Sequence, residues 1–196
     1  MPRKPPLDEA IIDAAIKLAD DGDWPHVRLH GVAAELGVTL RDIHVHYQDL
    51  DAVADAWLRR ADQAMIGTAE QAQLRDAPAP DRIQAALTAW FGALGGRRKI
   101  LRAILAYKLQ PSHIHLQAAL VVATSRRVQW LREAARLNAS GSQKTIEEAG
   151  LTWLFAASVR RWLWDRSENF ERTTAFIARR LKCADRLMDC WDHEPN

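Results

Sequence analysis

Apolar residues recur along this chain every three or four positions, which is the spacing of helices that bury one face. Within residues 8–20, for example, Ile11, Ile12, Ala15 and Ile16 would form one broad apolar stripe. No segment alternates apolar and polar residues long enough to suggest a β-strand. The pattern therefore predicts an all-α protein.

Capping residues and helix breakers divide this pattern into about nine helices. Thr39 and Asp49 stand where N-terminal helix caps are expected. Pro78 and Pro80 interrupt the helical pattern, and Asp81 is the expected cap of the helix that follows them. The predicted helices cover residues 8–20, 29–36, a short segment after Thr39, 49–74, 81–94, 100–109, 112–137, 144–164 and 168–191.

Two short helices around Gly37 have the parts of a helix-turn-helix. The apolar helix at residues 29–36 precedes the glycine, and Thr39 caps the second helix with Asp42 placed for a weak capping box. Short helices thus come first and long ones follow. The predicted domains are a three-helix domain of the helix-turn-helix type and a larger helical bundle, over residues 1–48 and 49–196.

The composition argues against several classes of protein. The 196 residues are 48% hydrophobic and include eight tryptophans, enough for a substantial core. We see no uncharged stretch long enough for a transmembrane helix and no secretory signal. Cys183 and Cys190, on one helix, would lie about 10 Å apart, too far for an unstrained disulfide. Two unbridged thiols favour a cytoplasmic location.

The sequence lacks the arrangements typical of enzymes and metal sites. We find no Ser/His/Asp or Cys/His arrangement, no glycine-rich phosphate loop and no pair of carboxylates on an apolar helix face. The histidines of the pairs His44/His46 and His113/His115 are two positions apart, so they would point about 200° apart on a helix. We expect no enzymatic activity, no cofactor and no bound metal.

Residues 8–60 resemble the DNA-binding domain of the TetR family of transcriptional regulators. The resemblance rests on the alanine-rich first helix with Ile11 and Ile12, on the AAELGVT turn, and on Tyr47 before the helix that Asp49 caps. It implies a homodimer that binds double-stranded DNA and responds to a ligand, and most simply a repressor.

The resemblance also implies which side chains meet DNA. The second helix of such a motif enters the major groove, and the residues before the first helix form an arm toward the minor groove. The expected contacts are Arg3, Lys4, Arg28, Thr39, Leu40, Arg41, His44, His46 and Tyr47.

The charge of this region argues against strong DNA binding. The whole chain carries +2, but residues 1–48 hold five Lys or Arg against eight Asp or Glu, a net charge of −3. Leu50 occupies a position where the family usually has a lysine. Each lost phosphate contact lowers affinity and its dependence on salt. A helix-turn-helix kept only for packing is therefore an open alternative.

Aromatic residues gather in the second domain, where they could form a core or line a ligand site. The resemblance to the TetR family implies an inducer pocket between these helices. Because few charges interrupt their apolar faces, we expect an apolar ligand whose polar end meets Tyr107 or an indole N–H. The expected lining residues are Leu94, Ile104, Tyr107, Val121, Trp130 and Trp153.

Residues 82–181 also resemble the lipid-binding accessory family of ubiquinone biosynthesis, which shares the TetR fold but does not regulate genes. The shared features are Trp130, an alanine-rich penultimate helix and the D-x-S-x-x-F turn of Asp165, Ser167 and Phe170. This resemblance implies an alternative function, the binding of a lipid or isoprenoid without any contact to DNA.

A seven-residue apolar repeat marks the last predicted helix. Phe170, Ile177, Ala184 and Trp191 recur every seven residues, and a second set of positions lies four residues after each of the first three. Such a 4-3 pattern is the seam of a helix packed along another helix. The partner helix lies either in the same chain or in a second copy, and both can hold. The residues expected at a homodimer interface are Leu151, Phe155, Trp162, Phe170, Ile177, Leu181 and Met188.

Overall fold

The computed structural model describes the backbone of residues 5–192 and the side chains of residues 5–184. This part of the chain forms nine α-helices joined by loops and short 3₁₀ turns, without a strand. The all-α prediction is confirmed. None of the described helices combines the length and the apolar character needed to cross a membrane. The helices are α1 Leu7–Gly22, α2 Leu29–Leu36, α3 Leu40–His46, α4 Leu50–Gly67, α5 Ala79–Ala93, α6 Arg98–Lys108, α7 Ile114–Ala134, α8 Gly141–Leu163 and α9 Glu171–Asp192.

Helix α4 is shorter than its apolar pattern predicts. It ends at Gly67, and two 3₁₀ turns, Thr68–Glu70 and Ala72–Leu74, replace its expected last turns. Glycine is a poor helix former, and the Thr68 hydroxyl donates a hydrogen bond of 3.0 Å to the Ala64 carbonyl. Such bonds from side chain to backbone compete with a regular helix.

Helix α5 begins earlier than expected, and its expected cap is wrong. The helix starts at Ala79 with Pro78 as the preceding residue, and no side chain caps it. Pro80 lies in the first turn, where the missing N–H of a proline is not needed. Asp81 therefore sits inside the first turn, where a negative charge still suits the helix N-terminus.

The chain divides into two compact units. The first unit consists of residues up to Arg60 together with Arg97–Leu116, and the second of Ala61–Gly96 together with the chain from Gln117 onward. The first unit therefore contains α1, α2, α3, α6 and the first part of α4. It includes more than the predicted helix-turn-helix domain, whose functional boundary at residue 48 stays a prediction.

The first unit is held together by the apolar faces of its three N-terminal helices. Ile11 and Ile12 of α1, Val32 of α2 and Ile43 of α3 are buried almost completely. Burying a side chain of this size contributes about 1.5–3 kcal/mol. This packing fixes one side of α3 against α1 and α2 and leaves its other side to solvent.

An aromatic cluster forms the core of the second unit. Trp90 meets Phe91 and Phe155 edge to face, with ring centroids 5.1 Å apart in both pairs. Phe91 also stacks on Trp162 at 5.6 Å. Trp90, Phe91 and Trp162 are buried almost completely. Edge-to-face and stacked pairs of this kind each add about 0.5–1.5 kcal/mol beyond the burial of their area.

Five of the seven residues expected at a homodimer interface are buried within this chain, which corrects their assignment. Helix α9 packs against α5 and α8 of the same chain, and this packing covers Ile177 and Leu181, whereas Ala184 of the seven-residue repeat is exposed. The side chain of Met188 lies outside the described residues. Phe170 is half-buried, and the remaining five are buried: Leu151, Phe155, Trp162, Ile177 and Leu181.

Asp165 joins the end of α8 to the start of α9. Its carboxylate accepts hydrogen bonds from the backbone N–H and the hydroxyl of Ser167, at 2.9 and 2.6 Å. It also accepts from the backbone N–H and the hydroxyl of Thr173, at 2.8 and 2.6 Å. Burial alone would raise the pKa of Asp165, but these hydrogen bonds outweigh it and lower the pKa to about 2.

This carboxylate should make the free energy of unfolding depend on pH in the acidic range. Because the pKa of Asp165 is lower in the folded chain, its contribution is complete above pH 4 and is lost as the pH falls toward 2. We expect Asp165→Asn to lower the free energy of unfolding by about 1–2 kcal/mol at pH 7, with a smaller difference below pH 3. Urea unfolding at several pH values measures this, and a difference independent of pH would contradict it.

Candidate nucleic-acid interface

The turn between α2 and α3 has the geometry that the sequence predicts. Gly37 ends α2 in the left-handed conformation, with φ of 66°, which a side chain would disfavour. The Asp42 backbone N–H donates to the Thr39 hydroxyl at 3.2 Å, and the Asp42 carboxylate accepts from the Thr39 backbone N–H at 2.9 Å. The predicted capping box is therefore confirmed, and it starts α3 directly after the turn.

A third hydrogen bond joins Thr39 and Asp42, in addition to the two of the capping box. The Thr39 hydroxyl also donates its proton to the Asp42 carboxylate at 2.7 Å, and this bond is the main cause that lowers the pKa of Asp42. A hydroxyl has a single proton to donate. Thr39, an expected DNA contact, therefore could not donate to a phosphate without breaking its bond to Asp42.

Tyr47, another expected DNA contact, has a packing role instead. Its ring is buried, and its hydroxyl donates to the Asp8 carbonyl at the start of α1, at 3.3 Å. Burial also raises the pKa of this hydroxyl. Together with Ile43 it anchors α3 to α1, so the aromatic residue that the sequence singled out holds the recognition helix in place.

Five side chains remain on the exposed side of α3. Leu40 is 53% exposed and Val45 is 76% exposed, although both are apolar. Arg41, His44 and His46 are exposed as well. Four of the five were expected from the sequence, and Val45 was not among the expected contacts. Its neighbour Ile43 is the residue that faces the core.

Arg28 stands at the start of α2, held against the preceding loop. Its Nη1 donates to the carbonyls of Pro25 and Val27, at 2.7 and 2.8 Å. These bonds hold the guanidinium against the loop that precedes α2. The arm residues Arg3 and Lys4 lie outside the described residues.

Four of the eight acidic residues within residues 1–48 pair with cations of the same unit. Glu9 and Asp13 of α1 both pair with Arg60 of α4, the Asp13 contact measuring 2.5 Å. Asp20 pairs with Arg97 at 2.9 Å. Arg60 and Arg97 lie outside residues 1–48, so the charge count of the sequence alone left them out.

A buried lysine pairs with two further carboxylates. Lys108 of α6 is only 2% exposed, and its Nζ lies 3.0 Å from Asp51 and 3.2 Å from Asp55. The first unit as a whole holds twelve Lys or Arg against eleven Asp or Glu, a net charge of +1 rather than −3. The charge argument against DNA binding is weakened once α4 and α6 are included.

Solved structures show what the chain is similar to, whereas no protein-family profile and no curated protein sequence matches it. A TetR transcriptional regulator from Nitrosomonas europaea ATCC 19718 is 38% identical, with a TM-score of 0.83 over 92% of this chain and 99% of the other. The chain belongs to the TetR family. A TetR transcriptional regulator and a regulatory protein of the tetR family, both from Rhodococcus RHA1, share the fold at 15% and 16% identity, with TM-scores of 0.61 and 0.52. They cover 89% and 91% of this chain and 93% and 97% of their own.

Membership of the TetR family makes the protein a transcriptional regulator, which agrees with the prediction that it is not an enzyme. Among the side chains of residues 5–184, no group of three His, Cys, Asp or Glu could hold a metal ion. The two histidines His113 and His115 meet ring to ring at 6.1 Å, and His113 Nδ1 lies 3.0 Å from the Tyr107 carbonyl.

The residues expected to line an inducer pocket in this TetR-family regulator are spread over different environments. Leu94 and Ile104 are buried almost completely. The other four expose about half or more of their surface: Tyr107, Val121, Trp130 and Trp153. Exposed side chains do not enclose a ligand within one chain, so the pocket assignment stays a prediction.

A buried polar cluster in the second unit was not predicted. Arg127 of α7 donates from Nε to the Asp62 carboxylate at 2.7 Å, and Trp90 donates from its indole nitrogen to the same oxygen at 2.8 Å. The Arg127 side chain is only 8% exposed. A charged pair therefore lies beside the aromatic cluster. The polar cluster was not visible in the sequence, because its three members lie on three helices.

The exposed side of α8 carries a second 3-4 repeat that sequence reasoning missed. Its members are exposed and lie opposite the buried face of α8: Ile146, Ala149, Trp153, Ala156 and Arg160. From α9, Arg180 lies over the Trp153 ring at 5.4 Å. Gly150, next to Ala149, also faces open space, because a Cβ built on it would meet no atom within 4 Å. The spacing was readable in the sequence, but its two alanines gave it a weak apolar signal.

Proposed function

We propose that this TetR-family regulator is a ligand-responsive repressor that binds DNA as a homodimer. The observation that supports this best is the exposed side of α3, which presents Arg41 and His44 beside Leu40 and Val45 on a firmly packed helix. A helix-turn-helix uses this side of its second helix to contact base edges in the major groove.

The homodimer in this proposal uses the exposed repeat of α8. Positions spaced three and four residues apart form a straight seam along a helix. Ala149 and Ala156 let a partner helix approach closely, and Trp153 supplies a large apolar contact. A dimer carries two helix-turn-helix motifs, one for each half-site of a two-fold symmetric operator.

The effector in this proposal binds in the second unit beside Asp62, Trp90 and Arg127. An apolar body suits the aromatic cluster, and a polar group of the ligand would exchange with a partner of the buried ion pair. A ligand shifts a regulator between two states only by binding one of them more tightly. Exchange of a partner in the buried ion pair would supply such a difference in binding between two states, because desolvated charges are costly unless they stay paired.

Loss of Arg41 should weaken DNA binding strongly. We expect Arg41→Ala to reduce the affinity for a selected DNA site by about 1–3 kcal/mol if the guanidinium reads a base, or to reduce the salt slope by about one unit if it meets a phosphate. Fluorescence anisotropy over a series of salt concentrations measures both quantities. Arg126→Ala, at an exposed arginine of the second unit, is the matched control. Equal affinities and slopes for the two variants would contradict a DNA contact by Arg41.

The lipid-binding alternative makes a different prediction for the purified protein. The D-x-S-x-x-F turn on which it partly rests has a structural explanation, because Asp165 and Ser167 cap the start of α9. Extraction of a lipid or isoprenoid from protein that retains no DNA would favour this alternative over a repressor.

A further inference from the structure

The exposed side of α3 is built from two short rows of side chains. Leu40 and His44 are four residues apart, as are Arg41 and Val45, so each pair lies along the same line of the helix. Each row therefore combines one apolar side chain with one polar or charged side chain. Arg41 and Val45 lie on the side directly away from the buried Ile43.

The two apolar members of these rows are both largely exposed in the described chain. Val45 is 76% exposed and Leu40 is 53% exposed, whereas Ile43 and Tyr47 supply the contacts that hold α3 to the first unit. Single apolar residues on a surface are common. These two side chains, however, lie on the helix that a helix-turn-helix inserts into DNA. Apolar groups in the groove would be suitable partners for them.

The major groove offers one prominent apolar group, the C5-methyl of thymine, whereas the other base edges there present hydrogen-bond donors and acceptors. We propose that Val45 and Leu40 read thymine methyl groups in the operator of this regulator. This inference rests on the proposed DNA binding and adds the chemistry of the site: each half-site contains thymines at the positions of Val45 and Leu40. Arg41, beside Val45, suits the acceptors of a nearby guanine.

Replacement of thymine by uracil tests this inference, because it removes the methyl group and leaves the pairing edge unchanged. DNA bound by the full-length protein is selected from a random duplex library, and each thymine of the selected site is then replaced by uracil in turn. We expect about a fourfold loss of affinity at one position per half-site for each methyl contact, the effect of one buried methyl-sized group.

Variants assign the methyl contact to a side chain. Val45→Ala should bind the thymine site about as weakly as the wild type binds the uracil site, and should lose nothing further at that uracil. Leu40→Ala should do the same at a different thymine. Val122→Ala, at a half-exposed valine of α7, is the control and should respond to uracil as the wild type does.

The outcomes distinguish a failure of methyl recognition from a failure of DNA binding. Selected DNA that tolerates uracil at every position overturns methyl recognition but leaves DNA binding intact. A Val45→Ala variant that still loses about fourfold at the same uracil overturns the assignment to Val45. If the wild type retains no DNA, the proposed function fails, and the inference fails with it.

Discussion

Ala149→Glu should convert the proposed homodimer of this regulator into a monomer. Ala149 is exposed in the middle of the 3-4 repeat of α8, between Ile146 and Trp153. A carboxylate there would face its own copy across a two-fold axis, and a buried unpaired charge is strongly unfavourable. Light scattering should give a mass near the 22.1 kDa of one chain instead of twice that value. Because one copy then contacts only one half-site, affinity for a two-site operator should fall at least about 100-fold.

The effect on assembly should be specific to this seam. Glutamate is a good helix former, so the substitution leaves α8 itself intact, and circular dichroism should show unchanged helicity. Ala34→Glu places the same residue at an exposed position of α2 and should remain dimeric. A dimeric Ala149→Glu protein, or a wild type that is monomeric at micromolar concentration, would contradict the proposed interface.

Arg127→Met should destabilise the protein by about 3 kcal/mol, the lower part of the range for breaking a buried ion pair. The substitution keeps the apolar length of the side chain but leaves the Asp62 carboxylate without its cation. The Asp62 side chain is only 19% exposed, so water replaces that partner poorly. Urea unfolding monitored by circular dichroism measures the loss.

The double variant Asp62→Asn/Arg127→Met separates the charge from the packing. The asparagine oxygen can still accept the Trp90 indole hydrogen bond, and no buried charge remains. We expect it to regain most of the stability lost in Arg127→Met. Arg126→Met, at the exposed neighbour, should stay within about 0.5 kcal/mol of the wild type. A double variant no more stable than Arg127→Met would show that the arginine acts through packing.

The local signals of the sequence predicted the local structure well. Gly37 and the pair Thr39 and Asp42 specify the turn and the start of α3 through bonds between near neighbours, so single residues sufficed. The boundary of α4 was harder, because Gly67 and Thr68 compete with an apolar pattern that continues to Leu74. Near the end of a helix, a small difference in helix propensity between neighbouring residues decides where the helix ends.

Features that depend on distant pairs could not be predicted in the same way. The pairing of Asp51 and Asp55 with Lys108 brings together α4 and α6. The net charge of the first unit becomes positive only because residues 97–116 contribute five Lys or Arg and no Asp or Glu. The repeat of α9 showed correctly that a seam exists. It could not show whether the partner helix was in the same chain, because a buried intrachain seam and a dimer seam have the same spacing.

Selection of DNA by the purified wild-type protein tests whether this regulator recognises a specific operator. At about 50 mM salt, where even weak phosphate contacts contribute, we expect a random duplex library to yield one common inverted repeat. The same selection with Arg41→Ala should lose or relax that sequence. A wild-type protein that retains no DNA, or retains DNA of every sequence equally, would contradict operator recognition by this protein.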